Sequence, residues 1–240
     1  MDFNVSHQAG IVSLIASIGF MEKVDVGTDV VCANEREKQD YAHIEKSGFF
    51  DWVDMHGDVF AESELNHMKL SHVSLHIGTL TGFAKDTVSR SQRRNETLTL
   101  KINEGEGEKT IRVDSNTVID EKLRRFYAMW CLRETYVKMT GEALLAPWLK
   151  DLEISDVEAP RAADHAAEGS LEQGGIVRDF QIYFKGKAVT DVKMELVAMC
   201  KHYMVGSSVR MPKGETGWSI GRWQMLDLEA DILPVAESKS

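Results

Sequence analysis

His67, His72 and His76 are the first side chains whose types and spacing could do chemistry. His72 and His76 lie one helical turn apart, where two imidazoles can share a metal ion. Zinc at that spacing needs a third ligand and, for hydrolysis, a carboxylate between the histidines. Val73, Ser74 and Leu75 stand between them and supply neither. Partly buried structural histidines are therefore the expected reading, and a metal-dependent enzyme built on the three is kept as a rival. Two basic clusters offer different chemistry. Arg90, Arg93 and Arg94 precede a candidate hairpin, and Lys122, Arg124, Arg125 and Arg133 lie on the helix after it. The guanidinium fork suits phosphate, and Phe126, Tyr127 and Trp130 could stack on bases or simply fill a core. A solvated basic face that offsets an acidic remainder is the other reading. No phosphate-loop glycine pattern, nucleophile elbow or dinucleotide fingerprint occurs. An enzyme is not expected.

The elements that must position these residues read as mostly helical. Four prolines, at 147, 160, 212 and 234, leave long stretches free for helices. The spacing predicts helices from Val5 to Met21, from Glu35 to Lys46 ahead of Gly48, and across Ser63 to Arg90 with a weak point at Gly78 and Gly82. Period two then replaces period 3.6. Thr97 to Ile102 and Lys109 to Val113 alternate around turn residues, which predicts a hairpin over 97–113. A helix capped by Asp120 runs to about Met139 and stops at Gly141, and another runs from Thr190 or Asp191 to Tyr203. The acidic stretch from Asp151 to Gly175 reads as an exposed connection. The expected fold class is mainly α: a compact helical core with one β-hairpin and extended N- and C-terminal arms. Its expected divisions are residues 1–60 (arm and first helices), 61–205 (core) and 206–240 (C-terminal arm).

Composition bounds the function. The chain has 240 residues, enough for one domain or two small ones, with 43% hydrophobic and 28% charged residues. That excludes a disordered or collagen-like chain. Lys and Arg number 28 against 38 Asp and Glu, a formal charge of −10, so any grip on nucleic acid must be a local basic strip. Cys32, Cys131 and Cys200 are single and far apart, which implies reduced thiols and no disulfide framework or cysteine zinc site. The apolar run from Gly10 to Met21 is too short to span a membrane and lacks the basic flank of a signal peptide.

The run TLTLKINEGEGEKTIRV, followed by KLRRFYAMWCLRETYVKM with Leu123, Arg124 and Arg125 at its start, has a recognisable order. So has the element from Val177 to Phe184 followed by a predicted helix ending at Tyr203. Over about residues 97–140 and 176–204 the chain resembles the coat proteins of potyvirus-like flexible filamentous plant viruses. The resemblance implies a non-enzymatic protein that polymerises helically through its terminal arms and clamps single-stranded RNA in a groove. Arg124 would reach phosphate, with Lys122 and Arg125 alongside. Asp179 would hold that guanidinium or meet a ribose, and Ser74 would be the groove serine. Asp179 could equally be an exposed acid. No cofactor, metal or membrane is implied, and the expected location is the virion and host cytoplasm. A matrix-type assembly protein without an RNA groove and the His67/His72/His76 enzyme remain as rivals.

Overall fold

The computed structural model describes residues 1–73, 75, 79–104, 107–142, 146–163, 172–214 and 218–237. The expected mainly α class is overturned: among these residues twelve strands in four sheets stand beside the helices. The first correction falls at the N-terminus. In place of a helix, β1 (Phe3–Gln8) and β2 (Ile11–Ala16) pair antiparallel. Ala9 and Gly10 between them have φ of 47° and 84°, the positive values a tight two-residue hairpin turn demands. Their side chains alternate with period two. Ser6 and Ser13 face each other and are buried, while the neighbouring pair Val5 and Leu14 is exposed.

β3 (Asp25–Cys32) follows, then α1 (Glu37–Ser47), α2 (Phe49–Asp54) and α3 (Glu62–Leu70). The long helix expected over 63–90 is broken. After α3 come β4 (Thr79–Leu80) and α4 (Gly82–Arg90), the latter capped by the Thr81 hydroxyl, which accepts from the Ala84 amide. The hairpin of β5 (Thr97–Glu104) and β6 (Gly107–Asp114) pairs in register from Thr97–Asp114 to Glu104–Gly107, and β4 adds to its edge. α5 (Ser115–Thr140) starts five residues earlier than its predicted cap, because Asp114 accepts from the Asn116 amide, and it ends at left-handed Gly141.

The remaining strands are β7 (Leu152–Ser155), β8 (Gln173–Val177), β9 (Gln181–Phe184), β10 (Lys187–Ala188), β11 (Val192–Met199) and β12 (Tyr203–Arg210); a 3-10 turn (Leu149–Asp151) precedes β7, and a π-helical turn (Leu228–Ile232) leads into α6 (Leu233–Glu237). The predicted helix from 190 to 203 is thus a strand and the start of its partner. β11 is buried on both faces from Met194 to Ala198, and a run with no exposed face carries no period to tell strand from helix. β3, β12, β11 and β8 form the central antiparallel sheet in the order β3-β12-β11-β8. α5 lies across one of its faces, and their shared core holds Val31, Phe126, Leu132, Met139, Leu196 and Met204. Among the described residues no helix is long and apolar enough to cross a membrane.

Candidate functional site

β3 is an edge strand, and its free N–H groups need acceptors. β1 supplies them from one row of alternating side chains. Asp2 accepts from the Val24 amide just ahead of the strand at 3.0 Å, Asn4 from Thr28 at 3.1 Å and Gln8 from Cys32 at 3.2 Å. Ser6 belongs to the same row, and its hydroxyl donates to Asp29 Oδ1 at 2.7 Å. From the helix side, Lys138 Nζ reaches Asp29 Oδ1 and Ser6 Oγ, each at 2.6 Å. Glu134 sits one turn before Lys138 on α5.

The electrostatics of this junction are unbalanced. Burial pushes the Asp29 carboxyl above its ordinary value, against the opposing pull of Lys138 and Ser6. Glu134 is pushed up to about 7, first by burial and then by the charge of Asp29, with Lys138 opposing. Lys138 thus pairs with Asp29, and Glu134 stands within electrostatic reach of both. The donor set is all oxygen, and it would be relieved by a further positive charge. That fits a hard divalent cation, which takes one or two carboxylates and completes its shell with water and phosphate oxygens.

The residues singled out by sequence lie elsewhere, and most are occupied by the chain itself. Arg124 is half-buried and donates to the carbonyls of Lys201 at 2.8 Å and Pro160 at 2.9 Å. Arg125 donates to the carbonyls of Ser71, at 3.2 Å, and His72, at 2.5 Å. Lys122 is fully buried and donates to those of Ser89 at 2.6 Å, Ser91 at 2.8 Å and Lys69 at 3.2 Å. Burial lowers the pKa of all three, of Lys122 to about 7. α5 is a spine of cations that tie down carbonyls of loops and helix ends, so these charges present no strip to a polyanion. Lys122→Met should cost about 2 kcal/mol in a urea unfolding titration, because three carbonyls at the ends of α3 and α4, one of them buried, lose their donor. A loss within experimental error would show that the carbonyls find other partners.

Asp179 is exposed, and no ion pair joins it to Arg124 among the described residues. Ser74 and His76 lie outside the described residues. His67 is bonded to the Ser71 hydroxyl at 2.8 Å and near the Val157 carbonyl, and burial lowers its pKa and that of His72, which suits neutral structural imidazoles. Among the described residues no three His, Cys, Asp or Glu side chains gather as a metal site. Asp29, Glu134, Lys138 and Ser6 were not singled out from sequence. The signals present were the polar alternation Asp2, Asn4, Ser6, Gln8 and the one-turn pair Glu134 and Lys138. Neither reveals that the two meet at Asp29.

Fold and site define a mixed α/β protein with a part-buried Asp29–Lys138 ion pair, and Glu134 one turn along the helix, where that helix crosses a sheet edge. No protein-family model matches the chain. It is 39% identical over 248 residues to a 4'-phosphopantetheinyl transferase of Aureobasidium melanogenum, with 98% of this chain and 70% of the relative covered. It is 34% identical to 4'-phosphopantetheinyl transferase 1 of Fusarium mangiferae, covering 99% of this chain and 63% of the relative. With 4'-phosphopantetheinyl transferase A of Aspergillus fumigatus it shares 30%, covering 98% and 67%. The chain belongs to the 4'-phosphopantetheinyl transferase family, and it spans 63–70% of the length of these relatives.

This overturns the coat-protein resemblance, which rested on short motifs over less than half the chain, whereas the fungal similarity runs through nearly all of it. The RNA partner, helical self-assembly through terminal arms, virion location and non-enzymatic role fall with it. The matrix-type and three-histidine alternatives do not fit a family of transferases either.

Proposed function

We propose that this chain transfers a 4'-phosphopantetheinyl group from CoA to a hydroxyl of a carrier protein, with a divalent cation held by Asp29 and Glu134. The observation that carries the reading is that Ser6, Asp29 and Lys138 meet at the β1–β3–α5 junction, with Glu134 within electrostatic reach of Asp29 and Lys138. The donor is a phosphoanhydride: the transfer breaks its P–O bond, releasing adenosine 3',5'-bisphosphate, and forms a P–O bond to the acceptor oxygen, whose proton is lost to solvent. A bound cation would neutralise charge on the anhydride oxygens. The protein's part is positioning and electrostatics. Asp29 is held in place by the Ser6 hydroxyl and the Lys138 ammonium. Glu134, with a pKa of about 7, becomes a carboxylate near neutrality, so the site gains its second negative oxygen donor in the range where transfer would run. Lys138, between Ser6 and Asp29, can share its ammonium with an incoming phosphate oxygen.

The test is direct. The protein incubated with CoA, Mg²⁺ and an unmodified carrier protein should add the mass of one phosphopantetheinyl group to the carrier, and chelation by EDTA should stop it. Folded protein that leaves a panel of carrier proteins unmodified, under conditions where a relative modifies them, would overturn the reading.

A further inference from the structure

α5 meets the central sheet over two glycines that flank Asp29. Gly27 lies two residues before it on the same face of β3, and Gly206 is its register partner on β12. Neither has a positive φ, so close approach is what requires them. A Cβ on Gly27 would stand 2.2 Å from the Thr135 carbonyl oxygen and 2.5 Å from the Met139 nitrogen. A Cβ on Gly206 would stand 2.5 Å from Thr135 Oγ1 and 3.1 Å from Cys131 Sγ. Buried Ser208, two residues along β12, donates to the same Thr135 carbonyl at 2.8 Å. The Thr135 hydroxyl is turned back onto the Cys131 carbonyl at 2.6 Å. One turn of α5 is thus pressed onto bare sheet backbone and pinned there. Glu134 immediately precedes Thr135, and Lys138 follows three residues later.

We propose that Gly206, with Gly27 and Ser208, is a positioning seat: it sets how close α5 brings Glu134 and Lys138 to Asp29, and through that distance the site's affinity for a divalent cation. This rests on the cation-binding reading of the Asp29 centre. The two glycines differ in a way that makes the seat testable. A methyl on Gly27 collides with helix backbone, which cannot swing aside. A methyl on Gly206 collides with side-chain atoms only, and those can be trimmed. Lifting the helix by the width of that methyl separates the two carboxylates without removing either.

Mn²⁺ binding followed by electron paramagnetic resonance tests this without reference to transfer activity. Gly206→Ala should weaken Mn²⁺ binding by about tenfold or more while cooperative unfolding is retained, in the range seen when supporting groups around a metal site are disturbed. The double variant Gly206→Ala with Thr135→Ala should return to the affinity of Thr135→Ala alone. Ser208→Ala, which adds no clash, should weaken binding severalfold, and it decides the matter if Gly206→Ala does not fold. A folded Gly206→Ala that binds Mn²⁺ as tightly as the parent overturns the seat, as does a folded double variant that stays weak. If Gly206→Ala does not fold, parental affinity in Ser208→Ala overturns it. A parent that binds no Mn²⁺, or an Asp29→Asn variant that binds it equally well, overturns the underlying reading of the site instead.

Discussion

Glu134→Gln should reduce transfer by at least about a hundredfold and, in the same protein, make the cation-free fold more stable above neutral pH. The two effects have one cause. Burial and the charge of Asp29 lift the Glu134 carboxyl from an ordinary 4.5 to about 7. Between those values the folded chain holds a proton that the unfolded chain has released. Stability therefore falls as pH rises through that window, and the loss is complete above about 7. Glutamine cannot ionise, so the variant escapes the loss and also lacks the charge a cation needs. Thermal melts at pH 5 and pH 8, each with and without Mn²⁺, separate the contributions. The parent should be less stable at pH 8 than the variant when cation-free, and Mn²⁺ should raise the melting temperature of the parent alone. A variant that transfers at the parental rate, or that is stabilised by Mn²⁺ as much as the parent, would remove Glu134 from the site.

Arg133→Ala should be the most damaging single change to stability, by about 3–5 kcal/mol, because it strips a buried charge of its partner. Arg133 is fully buried and Glu64 is 4% exposed. The guanidinium pairs with Glu64 and donates to the carbonyls of Leu149 at 2.6 Å and Leu152 at 2.9 Å. Glu64 in turn accepts from the amides of Ala61 and Ile154, both at 2.9 Å. α3, β7 and α5 are therefore joined through a single ion pair, on the residue next to Glu134 in the chain. Glu64→Gln should cost less, since the amide oxygen keeps an acceptor for Arg133. Urea midpoints at unchanged m-value would measure both. A loss below about 1 kcal/mol for Arg133→Ala would mean that water or another cation takes its place.

Where one face of an element is solvated, the periodicity of this chain is readable. Thr97 to Ile102 and Lys109 to Val113 alternate in sequence and pair as a hairpin, and the stops at Gly48 and Gly141 are visible as glycines after helical runs. The first hairpin is the instructive failure. Ile11, Leu14, Ile15 and Ile18 fit a helical stripe, yet Ala9 and Gly10 turn the chain back and β3 offers an edge to cover. The coat-protein likeness failed for a related reason. Arginines on a helix look alike in sequence whether they face phosphate or a loop carbonyl, and only the folded chain shows Arg124 and Arg125 turned onto carbonyls.

By itself the sequence determined the acidic balance, the single unclustered cysteines, the second hairpin and the long helix that carries Glu134 and Lys138. Those are properties of composition and of neighbours a few residues apart. The tertiary structure decided that Val192–Met199 is a central strand, because burial on both faces erases the period that would have announced it. It also decided the site. Asp29 and Lys138 are more than a hundred residues apart, and they meet, with Glu134 one turn away, because β3 pairs with β12 and α5 packs onto both strands where Gly27 and Gly206 leave room. No local propensity encodes that meeting, since it depends on which backbone surfaces can approach each other once the chain has closed.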